Sequence, residues 1–200
     1  MFFQRALQKC LTTKSHKLSS LVRPTHSVTQ ITTLPNGMRV ASENLGGETV
    51  SVGVWIDAGS RFEDEKTNGV AHFLEHISFK GTARHSQTDI ELKVENMGGH
   101  LNAYTSREQT AYFAKVFRND LPCAIDLLAD VLQHSRLDEK AIEREREVIL
   151  REQEEVEKQT EEVIFDHLHA VAYPDSSLGM TILGPERNIR SISRNDLQAY

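Results

Sequence analysis

The segment HFLEH, at residues 72–76, combines residue types that can hold a metal ion and move a proton. On a helix, residues four positions apart lie on one face, so His72 and His76 can bind the same ion. Glu75 then lies beside the pair, where its carboxylate can take a proton from water. The order H-x-x-E-H is that of the inverted zinc peptidases and predicts zinc-dependent hydrolysis with Glu75 as the base. Two surface histidines beside a solvated glutamate are the alternative.

A catalytic zinc ion usually has three protein ligands, so a third ligand must come from elsewhere in the chain. An acidic helix is predicted to begin near Asp138, which is a suitable N-cap residue. On it, Glu145 and Glu152 are seven residues apart on one stripe that also holds Val148 and Ile149. A carboxylate on a mainly apolar face needs a cationic partner. Spacing narrows the choice only in part, because these acids could instead pair with arginine and lysine on a solvated face. The candidates are Glu143, Glu145, Glu147, Glu152, Glu154 and Glu155.

The elements that position these residues follow from hydrophobic periodicity and turn signals. Asn36-Gly37 predicts a tight hairpin turn. Strands come mostly before helices with local reversals between them, which favours an α+β fold with an antiparallel-rich sheet packed against helices. The predicted strands are 30–34, 38–43, 49–57, 100–105 and 110–116, and the predicted helices are 69–78, 88–97, 121–134, the long acidic helix with a break, and a last helix starting at 193.

The helix predicted at residues 121–134 carries an apolar stripe that we expect to be buried. The stripe consists of Leu121, Ile125, Leu128, Ala129 and Leu132. The chain has two cysteines, Cys10 and Cys123, which are too few for a disulfide framework. We expect Cys123 to be a small buried residue in a reducing compartment.

Charge divides the sequence into two parts. Residues 1–40 carry six basic and no acidic side chains. The other 17 of the 23 basic residues and all 29 acidic residues therefore lie in residues 41–200. The segment 1–27 also has hydroxyl residues and scattered apolar residues, which predicts a mitochondrial transit peptide. Its apolar run is too interrupted for a secretory signal, and a disordered basic arm is the alternative. We expect residues 28–200 to form the folded domain, without a nucleic-acid partner.

Four separated segments resemble the pitrilysin-type zinc peptidases, and within that family the processing peptidases of mitochondria. They occur in the family's order, and the resemblance extends from about residue 31 to residue 200. It implies that His72, His76 and Glu152 bind one zinc ion, that Glu75 is the base, and that Glu145 supports a ligand histidine. It also implies the α/β half-subunit fold of the family. The segments are GVAHFLEHISFKGT, GGHLNAYTSREQTAYFAKV, IEREREVILREQEEVE and LGMTILGPERNIRSISRNDL.

The same resemblance implies how a peptide substrate binds. Glu162 and Asp166, four residues apart on one helical face, correspond to acids that bind a substrate arginine. Phe79 would line the pocket for the residue after the cleaved bond. Strand 100–105 would offer its edge to an extended peptide, with contacts from Asn102, Ala103 and Tyr104.

The resemblance therefore implies the catalytic subunit of a zinc metalloendopeptidase that removes presequences from precursor proteins imported into the mitochondrial matrix. Its partner would be an alpha subunit, with which it forms a heterodimer, and its substrates would carry an arginine near the cleaved bond. Only the first of the family's two similar halves is matched, so we expect the domain to be truncated at its C-terminal end. A non-catalytic core subunit of the cytochrome bc1 complex is the alternative, and association with respiratory complex III stays open. The alpha subunit itself ranks last, because its zinc motif is normally degraded.

Overall fold

The computed structural model describes residues 28–200, and the predicted transit peptide at residues 1–27 lies outside them. The described residues divide into two compact units, residues 28–47 and residues 48–200. In the first unit, strands β1 (Gln30–Thr33) and β2 (Arg39–Ser42) pair in antiparallel orientation. Gly37 has a φ angle of 87° in the turn between them, a conformation that glycine adopts without strain. The predicted hairpin is confirmed.

The second unit contains an antiparallel sheet of three strands. They are β3 (Thr49–Ile56), β4 (His100–Thr105) and β5 (Thr110–Phe117), in the order β3-β5-β4. Strand β4 pairs with β5 from His100↔Lys115 to Thr105↔Thr110. Within residues 28–200, the outer edge of β4 pairs with no other strand. The antiparallel α+β architecture expected from the sequence is therefore observed.

Residues 28–200 contain seven α-helices. Those that were predicted begin and end within two residues of the prediction, whereas the one at Glu186–Ser191 was not predicted. Asp138 caps the long fourth helix by accepting a hydrogen bond from the backbone N of Ala141 at 3.0 Å. The predicted break separates the fourth helix from the fifth, and no helix among residues 28–200 has the length and apolarity needed to cross a membrane. The helices are α1 (Val70–Ser78), α2 (Gln87–Asn96), α3 (Leu121–Gln133), α4 (Glu139–Val156), α5 (Thr160–Ala172), α6 (Glu186–Ser191) and α7 (Arg194–Ala199).

Two apolar clusters form the core of the second unit. One lies between the sheet and helices α2 and α3, around Tyr112 and Leu128. The other joins α1 to α4 and the C-terminal helices, and it includes Phe73, Ile77 and Ile149, each 1% exposed. Because α1 and α4 carry the predicted metal ligands, this second cluster sets the distance between those ligands.

Two expectations for helix α3 are wrong. Ile125 is 49% exposed, and Cys123 is exposed as well. Of the predicted apolar stripe, Leu128 alone is fully buried. Leu121, Ala129 and Leu132 are half-buried. The helix packs on the sheet through a neighbouring stripe, and Cys123 lies off that stripe in the first turn. The buried stripe consists of Ala124, Leu127, Leu128 and Val131.

Asp130 of α3 is fully buried and fixes the loop that follows α1. Its carboxylate accepts hydrogen bonds from the Thr82 hydroxyl, from Nε of Arg84 at 2.8 Å and from Nδ1 of His85 at 2.9 Å. Burial acts to raise the pKa of Asp130, but the hydrogen bonds from Thr82, His85 and Arg84 outweigh it and lower the pKa. The carboxylate is therefore ionised at neutral pH and binds the loop as an anion.

We expect Asp130→Asn to lower the free energy of unfolding by about 2–3 kcal/mol, because it leaves buried donors without an anionic acceptor. Since the folded pKa is below the unfolded one, this contribution is present above roughly pH 4 and is lost as the pH falls further. Urea unfolding at several pH values measures it, with Asp57→Asn, the same change at an exposed position, as the control. A deficit for Asp130→Asn that did not shrink in acid would contradict the ionic explanation.

Candidate metal centre and active site

Hydrogen bonds to a buried carboxylate fix the N-terminus of helix α1. The buried carboxylate of Glu63 accepts hydrogen bonds from the backbone N atoms of Gly69 and Ala71, at 2.9 and 2.8 Å, and from Nδ2 of Asn68 at 2.9 Å. These contacts satisfy N–H groups that an α-helix leaves without partners. A Cβ atom at Gly69 would lie 2.5 Å from the carbonyl oxygen of Leu183, so only glycine fits there. The start of α1, and with it the rotation of the helix, is fixed.

From this helix, the two histidine rings lie side by side and face Glu152 of α4. The ring centroids of His72 and His76 are 4.6 Å apart. Nε2 of His72 is 3.7 Å from Oε1 of Glu152, and Nε2 of His76 is 3.2 Å from Oε2 of the same residue. The three side chains are the one group of metal-ligating type that comes together within residues 28–200, with ligand atoms within 4.8 Å of one another.

This donor set fits a zinc ion in chemistry and in spacing. Two imidazole nitrogens and one carboxylate oxygen are a ligand set of catalytic zinc sites. Zinc–ligand bonds of about 2.1 Å at tetrahedral angles place ligand atoms roughly 3.4 Å apart. The observed separations lie on either side of that value, at 3.7 Å from His72 to Oε1 of Glu152 and at 3.2 Å from His76 to Oε2. Small side-chain movements are therefore enough for the three residues to share one ion.

Glu145 contacts one of these ligand histidines and is not itself part of the ligand group. Its Oε1 is 3.0 Å from Nδ1 of His76, and its Oε2 accepts a hydrogen bond from Nζ of Lys80 at 2.9 Å. Because Nδ1 of His76 is engaged by Glu145, Nε2 is left to face Glu152. A carboxylate in this position fixes the tautomer and the orientation of a ligand imidazole. Glu145 is buried, and the lysine ammonium balances its charge.

The electrostatics of the cluster favour a bound cation. Burial acts to lower the pKa of His76, but hydrogen bonds with Glu145 and Glu152 raise it to about 9. The two imidazoles that face Glu152, those of His72 and His76, lower the pKa of that carboxyl, so it is ionised. Burial opposes ionisation of Glu145, yet His76 and Lys80 lower its pKa too. Two carboxylates therefore hold positive charge between them, which is what a zinc ion supplies.

Glu75 lies next to the ligands on α1 and is half-buried. Its Oε2 accepts a hydrogen bond from Oγ1 of Thr105 at 2.5 Å. The sequence did not predict roles for Thr105, Lys80 and Glu63. Lys80 follows His76 at a spacing of four and was detectable as a cation on the same side. Thr105 and Glu63 had no such signal, because their roles depend on how separate segments pack.

The predicted substrate residues lie on three elements. Phe79 follows α1 and packs against Tyr112, with ring centroids 5.8 Å apart. Asn102 and Tyr104 are exposed on β4, and Ala103 is half-buried. The backbone N of Ala103 donates a hydrogen bond to Oδ1 of Asn102 at 2.9 Å. This N–H group therefore has only a local partner, which an incoming strand could replace.

Of the two acids predicted to bind arginine, Glu162 is exposed on α5, whereas Asp166 is half-buried. Nη2 of Arg107, in the turn between β4 and β5, donates a hydrogen bond to Oδ1 of Asp166 at 2.5 Å. Nε of Arg107 also donates to the carbonyl oxygen of Met180 at 3.2 Å. An arginine is thus already bound to Asp166, and it belongs to the chain itself.

Comparison with known proteins matches this architecture to one family. The family model described as "Insulinase (Peptidase family M16)" matches residues 39–186. The beta subunit of the mitochondrial-processing peptidase of Rattus norvegicus is 64% identical over 172 residues, which are 86% of this chain and 35% of that protein. The corresponding subunit of Homo sapiens is 63% identical over the same share of both chains. This chain therefore spans about a third of the length of these relatives.

A solved structure agrees with the fold. A protease from Helicobacter pylori superimposes with a TM-score of 0.81 at 28% identity, over 86% of this chain and 42% of that one. The family model covers most of the described residues, including α1, α4 and the three-stranded sheet. The family that the sequence motifs indicated is thus confirmed. The chain belongs to the insulinase family of peptidases, peptidase family M16.

Proposed function

We propose that this chain supplies the zinc-binding catalytic half-site of a metalloendopeptidase that removes N-terminal presequences from proteins imported into the mitochondrial matrix. The observation that carries the proposal is the convergence of His72, His76 and Glu152, from two separate helices, next to Glu75. The similarity to beta subunits of mitochondrial-processing peptidases supports the choice of substrate.

His72, His76 and Glu152 would hold one zinc ion, and Glu145 would keep the His76 ring in place through Nδ1. When bound, zinc supplies Lewis acidity, which makes water more acidic and a peptide carbonyl more electrophilic. Glu75 accepts the proton of the attacking water and returns it to the nitrogen of the departing amine. This transfer needs no second protein acid, because the same carboxylate serves both steps.

Substrate binding would use the free edge of β4 and the acids of α5. An extended peptide can pair with the backbone around Asn102, Ala103 and Tyr104, independently of its sequence. Phe79 would receive the side chain after the cleaved bond. Glu162 would bind the guanidinium of a substrate arginine, and Asp166 would do so in competition with Arg107.

The remaining assignments belong to the same proposal. Residues 1–27 would be the transit peptide and residues 28–200 the zinc peptidase domain. An alpha subunit would complete a heterodimer in the matrix, with association with respiratory complex III as a further partnership. A role as a non-catalytic core subunit of the cytochrome bc1 complex would not explain why three zinc-type ligands and a base converge.

We expect Glu75→Gln to keep its zinc and to cleave a presequence peptide at least about 100-fold more slowly, because the amide cannot accept the proton. The chain is produced together with an alpha subunit, and bound zinc and peptide cleavage are both measured. Glu154→Gln, the same change at an exposed position of α4, is the matched control. Undiminished cleavage by Glu75→Gln would refute the assigned base, and lost zinc would show that Glu75 is a ligand.

Measurements of zinc affinity should distinguish Glu152, a proposed ligand, from Glu145, which orients the ligand His76. We expect Glu145→Gln to weaken zinc binding by about 10–100-fold, as the loss of a group that orients a ligand does. Glu152→Gln should weaken it further, because it removes a charged ligand. Titration against a chelator of known affinity measures both, with Glu147→Gln on the exposed side of α4 as the control. A larger effect of Glu145→Gln would reverse the two assignments.

Arginine selectivity should depend on Glu162. We expect Glu162→Gln to raise KM for a peptide with arginine near the cleaved bond by about tenfold, since one charge-assisted hydrogen bond is lost. A peptide with norleucine at that position should be unaffected. Glu161→Gln, the adjacent exposed acid, is the control. Equal KM changes for the two peptides would remove Glu162 from the arginine site.

A further inference from the structure

One hydrogen bond connects the proposed base to the proposed substrate strand. Oγ1 of Thr105 donates to Oε2 of Glu75 at 2.5 Å, across thirty residues of sequence. Within residues 28–200, it is the one hydrogen bond recorded for the Glu75 carboxylate. The carboxylate has three rotatable side-chain bonds and lies on a helix, so without a partner it would sample several rotamers.

The donor is held more firmly than the carboxylate it contacts. Thr105 is the last residue of β4 and pairs with Thr110 of β5. The hydroxyl of Thr110 in turn donates to the carbonyl oxygen of Ala58 at 2.8 Å, so this end of the sheet is fixed. Threonine is β-branched, and its side chain has few rotamers. The hydroxyl is therefore presented to α1 at a defined place.

We propose that Thr105 is a positioning residue that holds the Glu75 carboxylate ready for proton transfer. One carboxylate oxygen, Oε2, accepts the threonine hydroxyl, and Oε1 stays available for the proton of water. A catalytic group has to be held within a fraction of an ångström of its productive position, which explains a dedicated donor. Because Thr105 ends the strand whose edge would receive the substrate, the same strand positions both the base and the substrate. The inference rests on the proposed function, in which Glu75 is the base.

The contact could instead serve only to attach α1 to the sheet. A purely structural tie would affect stability and zinc binding together with activity. A positioning role would affect kcat and leave KM, zinc content and stability nearly unchanged. It would also be restored by any side chain that returns the hydroxyl.

The test compares Thr105→Val, which keeps the shape and loses the hydroxyl, with Thr105→Ser, which keeps the hydroxyl. Each chain is produced with an alpha subunit, and kcat, KM, bound zinc and Tm are measured. We expect Thr105→Val to lower kcat about tenfold or more, with KM and zinc unchanged, as expected for a lost hydrogen bond to a charged group. Thr105→Ser should stay within about threefold of the parent. Thr49→Val, the same change at an exposed position at the other end of the sheet, should leave kcat and Tm near the parent values.

A second measurement does not depend on turnover. We expect crystal structures of the zinc-loaded chain to place the Glu75 carboxylate in one position in the parent and in Thr105→Ser, and to show it displaced in Thr105→Val. An unmoved carboxylate in Thr105→Val, or an unchanged kcat, overturns the inference. If Thr105→Val does not fold, Thr105→Ala gives the same comparison. A parent that binds zinc but cleaves no presequence overturns the proposed function instead, and the crystal structures still decide the role of Thr105.

Discussion

The packing of helix α1 against helix α4 is the interaction on which the site depends. His72 and His76 come from α1, Glu152 comes from α4, and nothing in their own segments sets the distance between them. That distance is set by the apolar cluster in which Phe73 and Ile77 meet Ile149. Because protein cores are packed nearly as densely as crystals, this contact transmits displacements of even one methylene group. A change in the cluster that leaves every ligand intact would therefore still move the imidazoles relative to the carboxylate.

The buried carboxylates of the site each have hydrogen-bond partners, whereas the buried Nδ1 of His72 has none within residues 28–200. Glu145 lies between His76 and Lys80, and Glu63 is surrounded by the donors at the start of α1. Burial raises the pKa of Glu63 in spite of these hydrogen bonds, whereas Glu145 has a lowered pKa because a lysine and a histidine face it. The difference is physical: backbone dipoles compensate for desolvation less well than full charges do. Glu145 is thus held as an anion beside a ligand histidine.

Local pattern was enough to predict most of the elements, because strand alternation, the Asn-Gly turn and the Asp138 cap are encoded by neighbouring residues. The paired histidines were also local, being one helical turn apart. The placement of Glu152 required the packing of α1 on α4, which periodicity does not reveal, and spacing alone left Glu145 as an equal candidate. The buried stripe of α3 was misassigned because leucine and isoleucine occur on both sides of it. Ile125 lies on the exposed side. The Arg107–Asp166 pair and the Thr105–Glu75 bond join segments whose separation in sequence carries no signal at all.

The outer edge of β4 joins these separate features. The N–H group of Ala103 there is bonded only to the neighbouring Asn102 side chain, a partner that a peptide carbonyl can replace at little cost. Two residues further on, Thr105 contacts Glu75, and the turn that follows carries Arg107 to Asp166. A peptide paired along this edge would therefore run between an acid that already accepts a guanidinium and a carboxylate already held by the strand. One short hairpin thus relates the position of the peptide backbone to both side chains. Rigidity of the β4–β5 turn should for that reason matter as much to selectivity as the charge of the acids on α5.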